Sequence, residues 1–187
     1  MRAWPIISAR TRNSAIVMNV PLSVTRAHAH ILSRHLSVQN FGFSGSGHMD
    51  LGIGMWLETI DAAVFLIDCN WNMRAAEISR KAGPIVAQLR AQHPATPIVM
   101  VEGTPDGTDW FTSKESNQQA NNVALRAVYE TLRANDDANL HYVFSAQLFG
   151  TGGALINPTV GGCHPSDLGA FDVADFYARF LPGIMRG

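Results

Sequence analysis

Ala62-Ala63-Val64-Phe65-Leu66-Ile67-Asp68 is an unbroken apolar run that ends on a carboxylate. A strand with one wet face alternates apolar and polar residues. A run with no alternation is what a parallel strand shows when helices cover both of its faces. Pro97 to Val101 repeats the pattern. Between the two runs, Arg74 to Gln92 places Ile78, Ala82, Ile85, Val86 and Leu89 on one helical face, with Gly83-Pro84 expected to break or kink that helix near its middle.

The same alternation extends in both directions. Upstream, Ala15 to Val20 reads as a buried strand ended by Pro21, and a helical stretch follows through Ala29, Ile31, Leu32 and Leu36. A second strand over Val38 to Phe43 runs into Ser44-Gly45-Ser46-Gly47, and Met49 to Thr59 reads as a short helix. Downstream, Thr112 and Glu115 offer a capping box for a helix whose Val123, Ala124, Ala127, Val128 and Leu132 share a face. Leu140 to Phe144 is a fifth strand. A last helix carries Phe171, Ala174, Ala178 and Leu181 inward, with Ser166 or Asp167 as its cap. Residues 1–14 show no period and read as an irregular leader. The order predicts an α/β fold: one three-layer α/β/α sandwich around a parallel five-stranded sheet, with ligands beyond the carboxyl ends of the strands.

Composition narrows the function. A chain of 187 residues suits one domain with a full core. A formal net charge of −1 gives no electrostatic reason to expect nucleic acid or an anionic membrane as a partner. Cys69 and Cys163 allow at most one bridge, and no apolar run reaches the roughly 18 residues of a membrane span, so the expectation is a cytoplasmic protein. His28, His30 and His35 lack a carboxylate or thiolate at ligand spacing, which argues against a metal site. Gly45-Ser46-Gly47-His48-Met49-Asp50 lacks the last glycine of a dinucleotide fingerprint, and no lysine follows a Gly-rich loop as phosphate binding would require.

In a parallel sheet, the polar residues that follow each strand converge on one edge. Here they are Ser23, the Ser44–Gly47 loop, Asn70 and Asn72; His164 precedes the last helix in Gly161-Gly162-Cys163-His164-Pro165. A hydroxyl nucleophile, an imidazole base, and an amide plus a free backbone N–H for an oxyanion are the parts of an acyl-transfer site. A different hydrolase elbow at Gly42-Phe43-Ser44-Gly45-Ser46, using Ser44, Asp68 and His164, would require glycine where Ser46 stands.

These residues resemble the SGNH, or GDSL-like, hydrolases, in the esterase-type branch. Asn40 to Asp50 looks like that branch's second block, Asp68-Cys69-Asn70-Trp71-Asn72-Met73 like its third, and His164-Pro165-Ser166-Asp167-Leu168-Gly169 like its last; Pro97 to Glu102 looks like the strand between them. The resemblance implies a flavodoxin-like sandwich and a serine esterase that works through an acyl-enzyme without a cofactor. It assigns the nucleophile to Ser23, the oxyanion hole to Gly45 and Asn72, and the base to His164. It also implies a small-molecule ester substrate, with small acyl groups such as acetyl carried on a carbohydrate. Two departures stand out. The first block reads Val20-Pro21-Leu22-Ser23-Val24-Thr25, without the family's glycine and with residues missing after it, which leaves Ser14 as a competing nucleophile. Gly161 stands where the last block carries aspartate. Asn70 competes with Asn72, and the two altered blocks leave room for a non-catalytic binding module on the same fold.

Overall fold

The computed structural model of the chain describes residues 14–18, 37–43, 45–104, 117–149, 158–160 and 164–185. Five parallel strands form the sheet: β1 (Ser14–Met18), β2 (Ser37–Asn40), β3 (Val64–Ile67), β4 (Ile98–Val101) and β5 (Leu140–Val143). Their order is β2-β1-β3-β4-β5. Phe65 pairs with Ile16 and Ile98, which puts β3 at the centre. The chain steps outward from β1 to β2 and then crosses back to β3, so the strand order reverses beside β1. That reversal opens a crevice at the carboxyl edge.

Alternation along β3 and β4 sends side chains into two separate cores. Phe65, Ile67, Ile98 and Met100 meet one layer, built from α1 (Leu51–Leu57), α2 (Ala75–Gln92) and α3 (Asn117–Ala134). Val64, Leu66, Val99 and Val101 meet the other, where α4 (Asp167–Ile184) contributes Ala170, Val173, Tyr177 and Leu181. All eight strand residues are essentially inaccessible to solvent, as the unbroken apolar runs require. This is the three-layer sandwich expected from the sequence. The first helical stretch, Thr112 and Glu115 lie outside the described residues. Ser166, not Asp167, caps α4, its side chain accepting the Gly169 N–H at 3.2 Å.

Three expectations about helix faces are corrected. Pro84 does not break α2, which runs continuously from Ala75 to Gln92. The proline lies on the solvent side, as does Arg80, whose carbonyl loses its helical partner there. Ile78, Ala82, Ile85, Val86 and Leu89 meanwhile stay packed on the core side. On α3, Val123 is 61% exposed and Ala127 also faces out, whereas Leu125 is buried. The inward face of α3 begins on Gln118, Asn121 and Asn122, polar residues that an apolar-periodicity reading passes over. Phe171 is 55% exposed, because Ala170 and Val173 take the inward positions of α4.

A proline inside a helix costs about 3 kcal/mol, offset in part by the stiffer unfolded chain. Pro84→Ala is therefore expected to stabilise the protein by about 2 kcal/mol and raise the melting temperature by about 4–8 °C. A calorimetric scan that shows no rise would mean the helix gains nothing from the restored hydrogen bond.

Candidate active site

Two loops at the carboxyl edge are joined to each other. After β2, Asn40 Oδ1 accepts the Gly42 N–H at 2.7 Å and Phe43 O accepts the Ser46 N–H at 3.0 Å, closing a tight turn. Gly45 sits in that turn with φ +90°, with no other atom within 4 Å of where a Cβ would stand. The backbone angle, not crowding, requires glycine there. His48 Nε2 lies 3.0 Å from Gly45 O, which fixes the carbonyl of this residue. Met49 is buried at φ 53°, a left-handed conformation unusual for methionine, and its backbone rests on the Cys69 thiol.

The second loop follows β3. Asn70–Asn72 form a single 3-10 turn, with the Asn72 N–H donating to Cys69 O and the Met73 N–H to Asn70 O, both at 3.2 Å. Asn72 is half-buried, and its Nδ2 donates to Gly47 O at 3.4 Å, linking the two loops. Asn70 points the other way. Fully buried, it donates to Asn122 Oδ1 at 2.8 Å and accepts from Gln118 Nε2 at 3.1 Å. The two asparagines thus divide the work: one amide at the open edge, the other inside.

His164 begins β7 (His164–Pro165), which pairs antiparallel with β6 (Thr159–Val160), and its side chain is exposed opposite Val160. The Ser166 N–H donates to Pro158 O at 2.8 Å, tying this hairpin to the first turn of α4. A methyl on Gly169 would collide with that same Pro158 carbonyl, so the close approach depends on glycine. Ser14 opens β1 at the amino edge. It is separated from the carboxyl edge by the length of the strand, about 13 Å at ~3.3 Å per residue. Ser23, Ser44 and Gly161 lie outside the described residues.

Buried charge gathers at the same edge. Glu102, just beyond β4, accepts from Arg126, from the Tyr142 hydroxyl at 2.9 Å and from the Ser145 N–H at 3.0 Å. Burial alone would raise its pKa; these donors outweigh burial and hold the carboxyl below the ordinary range. Asp68 shows the opposite balance. It continues the β3 face that carries Val64 and Leu66, toward Tyr177 of α4, and burial of its carboxyl pushes it up to about 7. Burial foremost, with Asp68 next to it, pushes the Cys69 thiol up to about 12, which makes it inert as a nucleophile at neutral pH. The sequence reading singled out neither the Glu102 cluster nor the inward amides of α3. Asn117-Gln118-Gln119-Ala120-Asn121-Asn122 carried a signal for the latter, since amides at positions 118, 121 and 122 share one helical face.

A parallel sheet in the order β2-β1-β3-β4-β5, with a glycine turn and an asparagine turn meeting at its carboxyl edge, defines an SGNH-type sandwich. The chain belongs to the GDSL-like Lipase/Acylhydrolase family, whose sequence pattern matches residues 23–182. A Bacteroides ovatus protein described as a GDSL-like lipase superposes with a TM-score of 0.82 at 28% identity, covering 93% of this chain and 54% of that one. The salicylyl-acyltransferase of a tetracycline biosynthetic pathway gives 0.74 at 16% identity, covering 94% and 56%. A family 3 carbohydrate esterase from Talaromyces cellulolyticus gives 0.65 at 15% identity, covering 92% and 98%. The chain spans about half the length of the first two. Among curated proteins, none matches significantly. No helix among the described residues is long and apolar enough to cross a membrane.

The state of Asp68 can be read from stability. A carboxyl whose pKa is raised on folding stabilises the fold while it is protonated, and that contribution is lost as pH rises from about 4 toward about 7. The melting temperature of the wild type should fall across that window relative to Asp68→Asn, which stays neutral. Parallel pH profiles for the two proteins would show that Asp68 is ionised in the fold throughout.

Proposed function

We propose that the chain is a serine esterase that hydrolyses O-acyl esters through an acyl-enzyme. The observation that carries this reading is the junction of the Gly45 turn with the Asn72 turn, through Asn72 Nδ2 and Gly47 O, at the carboxyl edge. Two donors of different origin, a backbone N–H on a glycine turn and a side-chain amide on a 3-10 turn, suit an oxygen that becomes charged during attack. Asn70 has no amide proton to spare for that task, since its side chain is committed to Gln118 and Asn122.

In the proposed reaction, His164 takes the Ser23 hydroxyl proton as Ser23 Oγ attacks the ester carbonyl. The Gly45 N–H and Asn72 Nδ2 hold the oxyanion. As the tetrahedral intermediate collapses, His164 returns the proton to the leaving alcohol; water then repeats the sequence on the acyl-enzyme. Ser23 is preferred to Ser14 because Ser14 starts β1 at the far edge, and because the family match begins at residue 23. The proposed substrates are esters of small acyl groups, acetyl among them, on an alcohol such as a sugar. The scheme requires no cofactor: side chains and backbone handle every proton and charge.

Gly161 bears on the rate. An aspartate beside the histidine would hold the ring in the productive tautomer and stabilise the imidazolium, an effect worth on the order of 10⁴ in kcat in serine hydrolases. The native chain is therefore expected to be a weak esterase. Turnover of p-nitrophenyl acetate should vanish to the His164→Ala background in Ser23→Ala, fall about 10²–10³-fold in kcat in Asn72→Ala with little change in KM, and rise at least tenfold in Gly161→Asp. If wild type and folded Gly161→Asp both stay at the His164→Ala background, the site does not turn over esters, and a binding role for the sandwich takes precedence.

A further inference from the structure

The esterase reading leaves unused a set of buried amides on the first turns of α3. Asn121 is 2% exposed, and its Nδ2 donates to Met73 O at 2.7 Å and to Asn70 O at 3.4 Å. Both acceptors are carbonyl oxygens, which settles which end of the amide is nitrogen. They also bracket Asn72, one on either side of the 3-10 turn. The other end of the amide gains nothing: Asn121 Oδ1 is buried and has no hydrogen-bond partner among the described residues. A side chain kept at the cost of an unpaired buried acceptor is placed there for its donors.

Its neighbours anchor the same turn. Asn122 pairs with the Gly103 peptide in both directions, accepting the N–H at 3.1 Å and donating to the carbonyl at 2.8 Å, while its Oδ1 also receives Asn70 Nδ2. Gln118 bridges Asn70 and Asn122 at 3.1 and 3.0 Å. The Asn70–Asn72 turn is thereby fastened to the end of β4 and to α3. Asn72 itself has one long link to the opposite loop, at 3.4 Å, so the direction of its amide is inherited from the turn that carries it.

We infer that Asn121 is a positioning residue for the oxyanion donor: its two N–H bonds set the pitch of the 3-10 turn and so aim the Asn72 amide at the acyl oxygen. This rests on the esterase reading above. In a double-mutant cycle with p-nitrophenyl acetate, Asn121→Ala should lower kcat about tenfold with KM within twofold of wild type. In an Asn72→Ala background, the same change should cost less than twofold, because the donor it aims is already gone. Leu89→Ala, which opens the α2 core away from the turn, is the control for lost stability and should keep kcat. Hydrogen exchange at the Asn72 and Met73 backbone amides should accelerate at least tenfold in Asn121→Ala and not in Leu89→Ala. Asn121→Ser, a smaller truncation, serves the same two measurements if Asn121→Ala does not fold. Fully additive kcat losses, a loss confined to KM, or unchanged exchange at the turn would each overturn the inference. Absence of turnover in the wild type would strike the esterase reading instead, and exchange at the turn would still decide whether Asn121 holds it.

Discussion

A parallel sheet must be covered on both faces, because its strands carry hydrogen-bonded backbone through the middle of the molecule and leave no face for water. Everything else in this chain follows from that constraint. Val64 to Ile67 and Ile98 to Val101 are apolar without interruption, and their side chains fall alternately into the α1–α3 core and the α4 core. Polar chemistry has nowhere to go but the ends of the strands. Asp68, Asn70, Asn72, Glu102 and the Gly45 turn all stand within a few residues of a strand's carboxyl terminus.

At that edge the protein replaces apolar packing with hydrogen bonds of fixed direction. Gln118, Asn121 and Asn122 occupy inward positions on α3 where leucine or valine would bury more area, and Glu102 stands buried where β4 ends. Apolar side chains can slide; an amide paired with the Gly103 peptide in both directions cannot, since each bond specifies both partner and angle. The fold therefore changes character along its strands, from a core held by packing to an edge held by direction. A site that must hold a backbone N–H and an amide in register requires the second kind of order.

The sheet was legible in the sequence because burial on both faces leaves an unmistakable apolar run, and each of the five expected strands overlaps an observed one. Helix faces were read less well wherever polarity and burial part company. Val123 looked like core and is exposed, because the helix turns its amides inward; Phe171 looked like core and is exposed, because the small residue Ala170 fits closer to the sheet. Pro84 looked like a break and is not one, since nothing on the solvent side of α2 forbids an unpaired carbonyl. Of the candidate site, the pairing of the second and third blocks followed from the strand order, and the choice between Asn70 and Asn72 did not: two asparagines two residues apart differ only in which way the turn points them.

The account turns on a serine activated at the carboxyl edge, so the most direct measurement is the site of covalent capture. The intact protein would be treated with a fluorophosphonate, digested, and the modified peptide located by mass spectrometry, with His164→Ala in parallel. The account predicts one adduct, on Ser23, lost or sharply reduced in His164→Ala. An adduct on Ser14 or Ser44, or labelling of Ser23 that does not depend on His164, would contradict it.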